Sequence, residues 1–305
     1  MLYFIVNPKS SSGKGLQLWQ TAEQWLKAHH ISYEAFFTEN SGHASALAKE
    51  ISLTKAPCTI VGVGGDGTIN EIINGLENFE NILFSCLPTG SGNDLARGLS
   101  LLGTPEQTLE AITAPKNIRH LNIGVITTPD YQRRFLVSSG VGFDAAVCHE
   151  VAKTDLKAFL NRLHLGKLTY LLIALKQLII LPLFTMETTI DDEEPVIRNR
   201  TFFAAAMNLP YEGGGFKFCP KADCSDDYLD LCLANQLSKP KALSILPTAF
   251  FGKHERFRGV TVTRFRHLTL RSLHPMTIHT DGEPLPYQTE VQISLCENKL
   301  PFILG

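Results

Sequence analysis

"VGVGGDGTINEIINGL", Val61 to Leu76, decides how this chain is read. An apolar run ends there in Gly62, Gly64 and Gly65. It exposes one acid, Asp66, and restarts through Gly67 and Thr68 as a helix. Glycines leave the backbone unshielded, so N–H groups can approach an anion closely. A helix beginning nearby, near Thr68 or Asn70, favours phosphate electrostatically. Asp66 places a carboxylate where a nucleotide-bound Mg²⁺ can be reached. A tight strand–helix turn would use the same glycines for packing alone, so neighbouring loops must arbitrate.

Two further loops share this construction. "NPKSSSGKG" (residues 7–15) follows the strand-forming run "LYFIVN" and is rich in N–H and hydroxyl donors. It lacks the G-x-x-x-x-G-K-[ST] spacing of a P-loop. "LPTGSGNDLARGL" (residues 87–99) ends a strand at Pro88, loosens at Gly90 and Gly92, and supplies Ser91, Asn93 and Asp94. Thr38 ends the run "YEAFFT" on the same side. Four successive strand ends therefore carry phosphate-compatible chemistry.

Strand and helix patterns alternate over about the first hundred residues, which predicts a parallel, Rossmann-like sheet with helices on both faces. Ligands of such sheets bind beyond the carboxyl ends of the strands. After Asn117 the pattern changes to short strands with turns between them, among them "HLNIGVIT", "RRFLVSSGVGF", "FTMETTID", "RTFFAAAMN", "DLCLANQ", "HLTLRS", "MTIHTDGE" and "TEVQISLC". They predict a mostly antiparallel β-sandwich or distorted barrel. The reading is an α/β nucleotide-binding domain over 1–117 and a β-rich domain over 118–297, with the apolar 298–305 returning to pack on the first.

Bulk properties exclude several classes. The 305 residues are 44% hydrophobic and 19% charged, ordinary for a globular chain of about two domains. A net charge of −2 provides no global field for nucleic acid. Seven cysteines, an odd number without a CxxC, read as reduced thiols in a cytoplasmic protein and not as a zinc site. The N-terminus lacks the pattern of a signal peptide.

The stretch "HTDGEPL" brings Asp281 and Glu283 together around Gly282, either as a hairpin turn or as a pair of carboxylates converging on a cleft. "CPKADCSDDYLDL" (residues 219–231) clusters Asp223, Asp226, Asp227 and Asp230, oxygen donors suited to a hard cation or to solvent. In this order, "GGDGTINE", "PTGSGNDLAR" and "TDGEPL" resemble the diacylglycerol kinase catalytic-domain family, which includes bacterial lipid kinases and the sphingosine and ceramide kinases. The resemblance runs from Asn7 to Glu283. GGDGT alone is shared with NAD kinases and phosphofructokinases; its combination with GxGND and DGE is specific.

The resemblance implies an ATP- and Mg²⁺-dependent kinase acting on a lipid hydroxyl, with diacylglycerol as the expected acceptor and phosphatidic acid as the product. It implies an ATP site at Asn7, Thr38, Gly64, Gly65, Asp66, Gly67, Thr68, Ile69, Asn70, Glu71 and Ser91. Asn93 adds a polar group to the third loop, and Asp94 joins the acids near the phosphates. It implies the proton acceptor in the DGE motif, at Asp281, with Glu283 supporting or substituting for it; on that reading Asp281→Asn folds normally and loses activity. It implies a structural Mg²⁺ held by Asp223, Asp226 and the carbonyl of Tyr228. Two positions depart from the family: Asn122 stands where many bacterial relatives carry an acid, and Asp227 where a glycine is usual. A soluble-metabolite kinase of the NAD kinase type and a non-catalytic nucleotide-binding regulator are the alternatives.

Two stretches bear on the lipid. "GKLTYLLIALKQLIILPLF" (residues 166–184) places Leu168, Leu171, Leu172, Leu175, Leu178 and Ile179 on one helix face, too short to span a bilayer. It reads as a core helix or as the wall of an acyl slot. Lys253, Arg256, Arg258, Arg264, Arg266 and Arg271 lie close together against one acid, Glu255. They read as a patch for anionic headgroups or as a solvated strand face. The expected partner is a lipid at the inner membrane surface, contacted peripherally, with no nucleic acid. Monomer and homodimer both fit.

Overall fold

The computed structural model describes residues 1–90, 92–101, 103–153 and 166–304, the side chains of 166–172 excepted. It divides into two compact units, Met1–Asn122 with Glu297–Gly305, and Ile123–Cys296.

The first unit is built on a six-stranded sheet. Its elements run β1 (Leu2–Val6), α1 (Ser10–Ala28), β2 (Tyr33–Phe37), α2 (His43–Thr54), β3 (Cys58–Gly64), α3 (Asp66–Gly75), β4 (Ile82–Pro88), α4 (Asp94–Gly98), α5 (Pro105–Thr113) and β5 (Ile118–Leu121). The sheet order is β2-β1-β3-β4-β15-β5, where β15 is the returning segment Leu300–Ile303. The first four strands are parallel; β15 is parallel to β4 and antiparallel to β5. β1 and β3 are buried along their whole length, as strands covered on both faces must be. Trp19, Ala22 and Leu26 form the inward stripe of α1 against Phe4, Val61 and Val63. α5, absent from the sequence reading, begins with a capping box in which Thr104 and Gln107 satisfy each other's backbone N–H groups.

The expected single strand "HLNIGVIT" is divided between the units. Ile118–Leu121 completes the first sheet against β15, while β6 (Gly124–Thr127) opens the second. The boundary therefore falls after Asn122.

The second unit continues with β7 (Gln132–Phe135), β8 (Ser138–Gly142), α6 (Phe143–Lys153), the helix Gly166–Ile180, β9 (Phe184–Ile190), β10 (Val196–Met207), β11 (Leu229–Asn235), the short helix Lys239–Ile245, β12 (Val260–Phe265), β13 (His267–Thr280) and β14 (Glu283–Leu295). Nine antiparallel strands follow the order β12-β11-β10-β8-β13-β14-β6-β7, with β9 paired to both β10 and β13. β10 gives its first half to β9 and its second to β8. β13 does the same. This double allegiance folds the sheet into a sandwich around Phe135, Val141, Met186, Leu231, Phe265 and Ile278. "HLTLRS" and "MTIHT" thus form one bulged strand, not two. In the helix Gly166–Ile180, Ile173 and Leu178 are buried, but Leu175 and Ile179 from the expected apolar face are exposed. All seven cysteines are free.

Candidate functional site

The strand ends of the first unit converge. Asn7, one residue past β1, donates its Nδ2–H to Thr68 Oγ1 (2.9 Å) and its N–H to Val63 O (2.9 Å). Ser10 donates its hydroxyl to Asn7 O (2.9 Å) and accepts one from Thr89 (2.9 Å). The Asn7, Gly64 and Pro88 loops are thus tied by polar side chains. Ser11, Ser12 and Gly13 all have positive φ (48°, 60° and 95°), so the Gly/Ser loop curls left-handedly before α1 becomes regular. Gly65 and Gly90 face each other: a Cβ on Gly65 would lie 3.7 Å from Gly90 Cα, an ordinary van der Waals contact. Asp94 N–H donates to Asp66 Oδ2 (3.3 Å), which joins the second and third loops. Asn93 takes φ 49° at the start of α4.

The other predicted positions separate by burial. Gly67 and Thr68 open α3, and Ile69 and Asn70 are buried in it, so these last two offer a ligand little beyond their backbone. Asn7, Thr38, Thr68 and Glu71 line a cavity of about 290 Å³ with Lys9, Glu39, Asn40, Ser41 and Ala44. Ser41 donates to Glu71 (3.1 Å). Ser91 lies outside the described residues. The sequence reading missed Lys9, a cation on this cavity whose Nζ donates to Glu39 O (3.2 Å). Its place three residues beyond the end of β1 was the available signal.

In the second unit the DGE motif is a tight turn between β13 and β14, with Asp281 at φ 49° and Gly282 at φ 81°. Asp281 is held from outside the hairpin. Its Oδ2 accepts from Leu136 N–H (3.0 Å), and its Oδ1 from Val137 N–H (2.8 Å) and Ser138 N–H (3.1 Å). The expected strand "RRFLVSSGVGF" breaks at Leu136–Val137, and the freed N–H groups turn to this carboxylate. Asp281 N–H in turn donates to Ser138 O (2.8 Å). Glu283 is exposed.

Beneath the turn lies a buried cluster that the sequence reading did not find. His279 is fully buried, with Nε2 at 3.2 Å from Asp144 Oδ2 and 3.3 Å from Glu212 Oε1. Its Nδ1 meets Gly282 N–H (3.3 Å), and Nε2 carries the proton that faces both carboxylates. The ring therefore links the DGE turn to two buried acids. Burial pushes Asp144 up to about 6 against the opposing pull of His279. Burial disfavours the imidazolium, but Cys148, Glu212 and Asp144 outweigh it and raise the His279 pKa well above its ordinary value. Burial also pushes the Cys148 thiol up to about 12. Gly140, paired with His279, makes room: a Cβ there would lie 2.0 Å from Asp144 Oδ2.

The acidic loop 219–230 is engaged within the protein. Asp226 pairs with Arg264 and accepts from Tyr228 N–H (3.1 Å). Asp223 accepts from Ser225 N–H and Oγ–H (3.0 and 2.7 Å). Arg264 and Arg266 stack over the Tyr228 ring. Asp230 is buried in β11, so of the two readings of the acidic cluster the solvated one does not hold for it. Asp227 takes φ 65°, the left-handed conformation that a glycine would adopt freely.

The α/β unit and the antiparallel sandwich with its acidic turn are the two-part architecture that the resemblance implies. Comparison with known proteins narrows the class. Residues 1–126 match the diacylglycerol kinase catalytic domain, and residues 137–297 match the YegS C-terminal NAD kinase beta sandwich-like domain. The chain is 30% identical to the "Putative lipid kinase YtlR" of Bacillus subtilis (strain 168), over 92% of each chain. It is 27% identical to a diacylglycerol kinase of the same organism, covering 92% of this chain and 88% of that one. A crystal structure of a diacylglycerol kinase from Bacillus anthracis str. Sterne superposes with a TM-score of 0.72 at 18% identity, over 100% of this chain and 96% of that one. The chain belongs to the diacylglycerol kinase catalytic-domain family and is an enzyme of the lipid kinase type. Among the described residues, no helix is long and apolar enough to cross a membrane.

Proposed function

We propose that the enzyme transfers the γ-phosphoryl group of ATP to the primary hydroxyl of diacylglycerol, giving phosphatidic acid and ADP. The observation that carries this reading is the lacing of three strand-end loops in the first unit by the Asn7–Thr68, Ser10–Thr89 and Asp66–Asp94 hydrogen bonds. The part-exposed backbone of Gly65 and Gly90 is suited to phosphate oxygens, and Lys9 supplies positive charge. Phosphoryl transfer asks the protein mainly for positioning and charge stabilisation. The acceptor hydroxyl loses its proton to a carboxylate of the DGE motif as its oxygen bonds to phosphorus and the bond to the β-phosphate bridging oxygen breaks.

Asp66 and Asp94 are hard oxygen donors beside the paired glycine turns and fit a nucleotide-borne Mg²⁺, which would neutralise the charge on the β- and γ-phosphates. Asp223, Asp226 and Tyr228 do not fit as well. Arg264 already balances Asp226, so no ion is proposed there.

Asp281 and Glu283 divide the work of the acidic motif. Asp281, gripped by three backbone N–H groups, fixes the turn; Glu283, exposed beside it, is the more accessible acceptor. The lipid is met at a membrane surface.

The test is incubation with γ-labelled ATP, Mg²⁺ and a mixed lipid extract, followed by identification of the labelled product. Phosphatidic acid as the labelled species supports the proposal. Label confined to another lipid would reassign the acceptor, and label confined to NAD-derived material would overturn lipid kinase chemistry.

A further inference from the structure

The basic cluster read from the sequence separates into two sets in the structure. Arg264 is paired with Asp226, and Arg271 with Glu187 and Glu290. Lys253, Arg256 and Arg258 are exposed and, among the described residues, make no ion pair. They follow Phe250 and Phe251, which are 47% and 75% exposed, and flank Phe257, which is 39% exposed. These are the exposed phenylalanines among the described residues of the second unit.

Folding does not require that exposure. The elements that carry these rings already bury an inner face, with Ala242, Ile245 and Ala249 in the core. Phe250 lies flat on Phe216 at 3.9 Å, which fixes the ring outward. Lys241 donates to Arg258 O (2.8 Å) and fastens the helix Lys239–Ile245 to the loop before β12. The platform is therefore supported from behind. Residues 239–258 carry Lys239, Lys241, Lys253, Arg256 and Arg258 against Glu255, a local excess of positive charge in a chain of net charge −2.

Exposed aromatic rings beside unpaired cations match a lipid bilayer, with rings at the headgroup boundary and ammonium and guanidinium groups among phosphates. We propose that this face, led by Phe250, Phe251, Lys253, Arg256 and Arg258, docks the enzyme on an anionic phospholipid surface. The inference rests on the lipid kinase reading for its purpose, but its observations are independent of that reading.

The test is co-sedimentation of the whole protein with vesicles of phosphatidylcholine alone or mixed equally with phosphatidylglycerol, at low and high salt. Wild type is expected to bind the anionic vesicles at least tenfold more tightly at low salt. Phe251→Ser and Lys253→Glu/Arg256→Glu are each expected to reduce that binding about tenfold without lowering the melting temperature. Both are expected to retain turnover of a short-chain, monomeric diacylglycerol. Equal binding to both vesicle types, or variants that bind like wild type, would overturn the docking surface. A solution dimer abolished by Phe251→Ser would also overturn it, since a second copy would then be the occupant. Patch-dependent binding by a protein that phosphorylates no diacylglycerol would leave the surface standing and refute the proposed function instead.

Discussion

Replacing Asp281 with asparagine should damage the fold as well as the chemistry. Its carboxylate accepts three backbone N–H bonds at 2.8, 3.0 and 3.1 Å. Hydrogen bonds to a charged group contribute about 1.5–3 kcal/mol each. Asparagine keeps one carbonyl oxygen, which can serve Val137 and Ser138, but it turns an NH₂ donor towards Leu136 N–H. One charge-assisted bond is lost outright and the other two become neutral, for a net cost of about 2–4 kcal/mol. The second unit spans Ile123–Cys296. For a unit of this size the cost converts to a fall of roughly 5–15 °C in melting temperature. Calorimetry of wild type and Asp281→Asn measures it directly. A variant that melts within about 1 °C of wild type would refute the clasp, because even one lost charged bond should shift the transition by several degrees. Lost activity in this variant therefore does not identify the proton acceptor, contrary to the expectation of a normally folded asparagine mutant.

The exposed neighbour separates the two roles: Glu283→Gln should melt within about 0.5 kcal/mol of wild type yet lose 10²-fold or more in kcat, and near-normal turnover would remove Glu283 as acceptor. Gly140→Ala should cost about 1–3 kcal/mol or more, because the added methyl would lie 2.0 Å from Asp144 Oδ2 and 2.7 Å from His279 Nε2; an unchanged urea midpoint would contradict the packing under the turn. Burial, helped by Glu255, pushes Asp230 up to about 6 from 3.8. Between those values the native state holds a proton that the unfolded chain has released, so its contribution is present at low pH and lost as pH rises through about 6. Asp230→Asn should therefore raise the urea midpoint at pH 7 and flatten the decline between roughly pH 4 and 6; an unaltered pH profile would count against it.

The strands at the sheet's centre were legible because β3 and β4 are apolar runs ending in glycine or proline and β1 runs straight into Asn7–Pro8, where period and punctuation agree. β5 and β8 were less legible. "HLNIGVIT" has one continuous strand pattern, and only the return of β15 to the first sheet divides it. "RRFLVSSGVGF" breaks because a carboxylate far along the chain, Asp281, draws Leu136 and Val137 N–H out of the ladder. No local pattern encodes that partner. The glycine turns of the first unit were readable as motifs, whereas the burial of Ile69 and Asn70, named with them, was not. The cluster of Asp144, Glu212 and His279 was invisible because its members are far apart in the chain and each looks unremarkable alone. Arg264 altered the meaning of the acidic loop for the same reason: pairing across β11 and β12 brings a guanidinium to Asp226.

The most direct measurement is a crystal structure with Mg²⁺ and a non-hydrolysable ATP analogue. The account predicts phosphates lying against the Gly64–Thr68 and Gly90–Asp94 turns, with a carboxylate of the DGE motif within reach of an alcohol held in line with the γ-phosphate. A nucleotide seated elsewhere, or a γ-phosphate beyond the reach of any alcohol that Asp281 or Glu283 could touch, would contradict it.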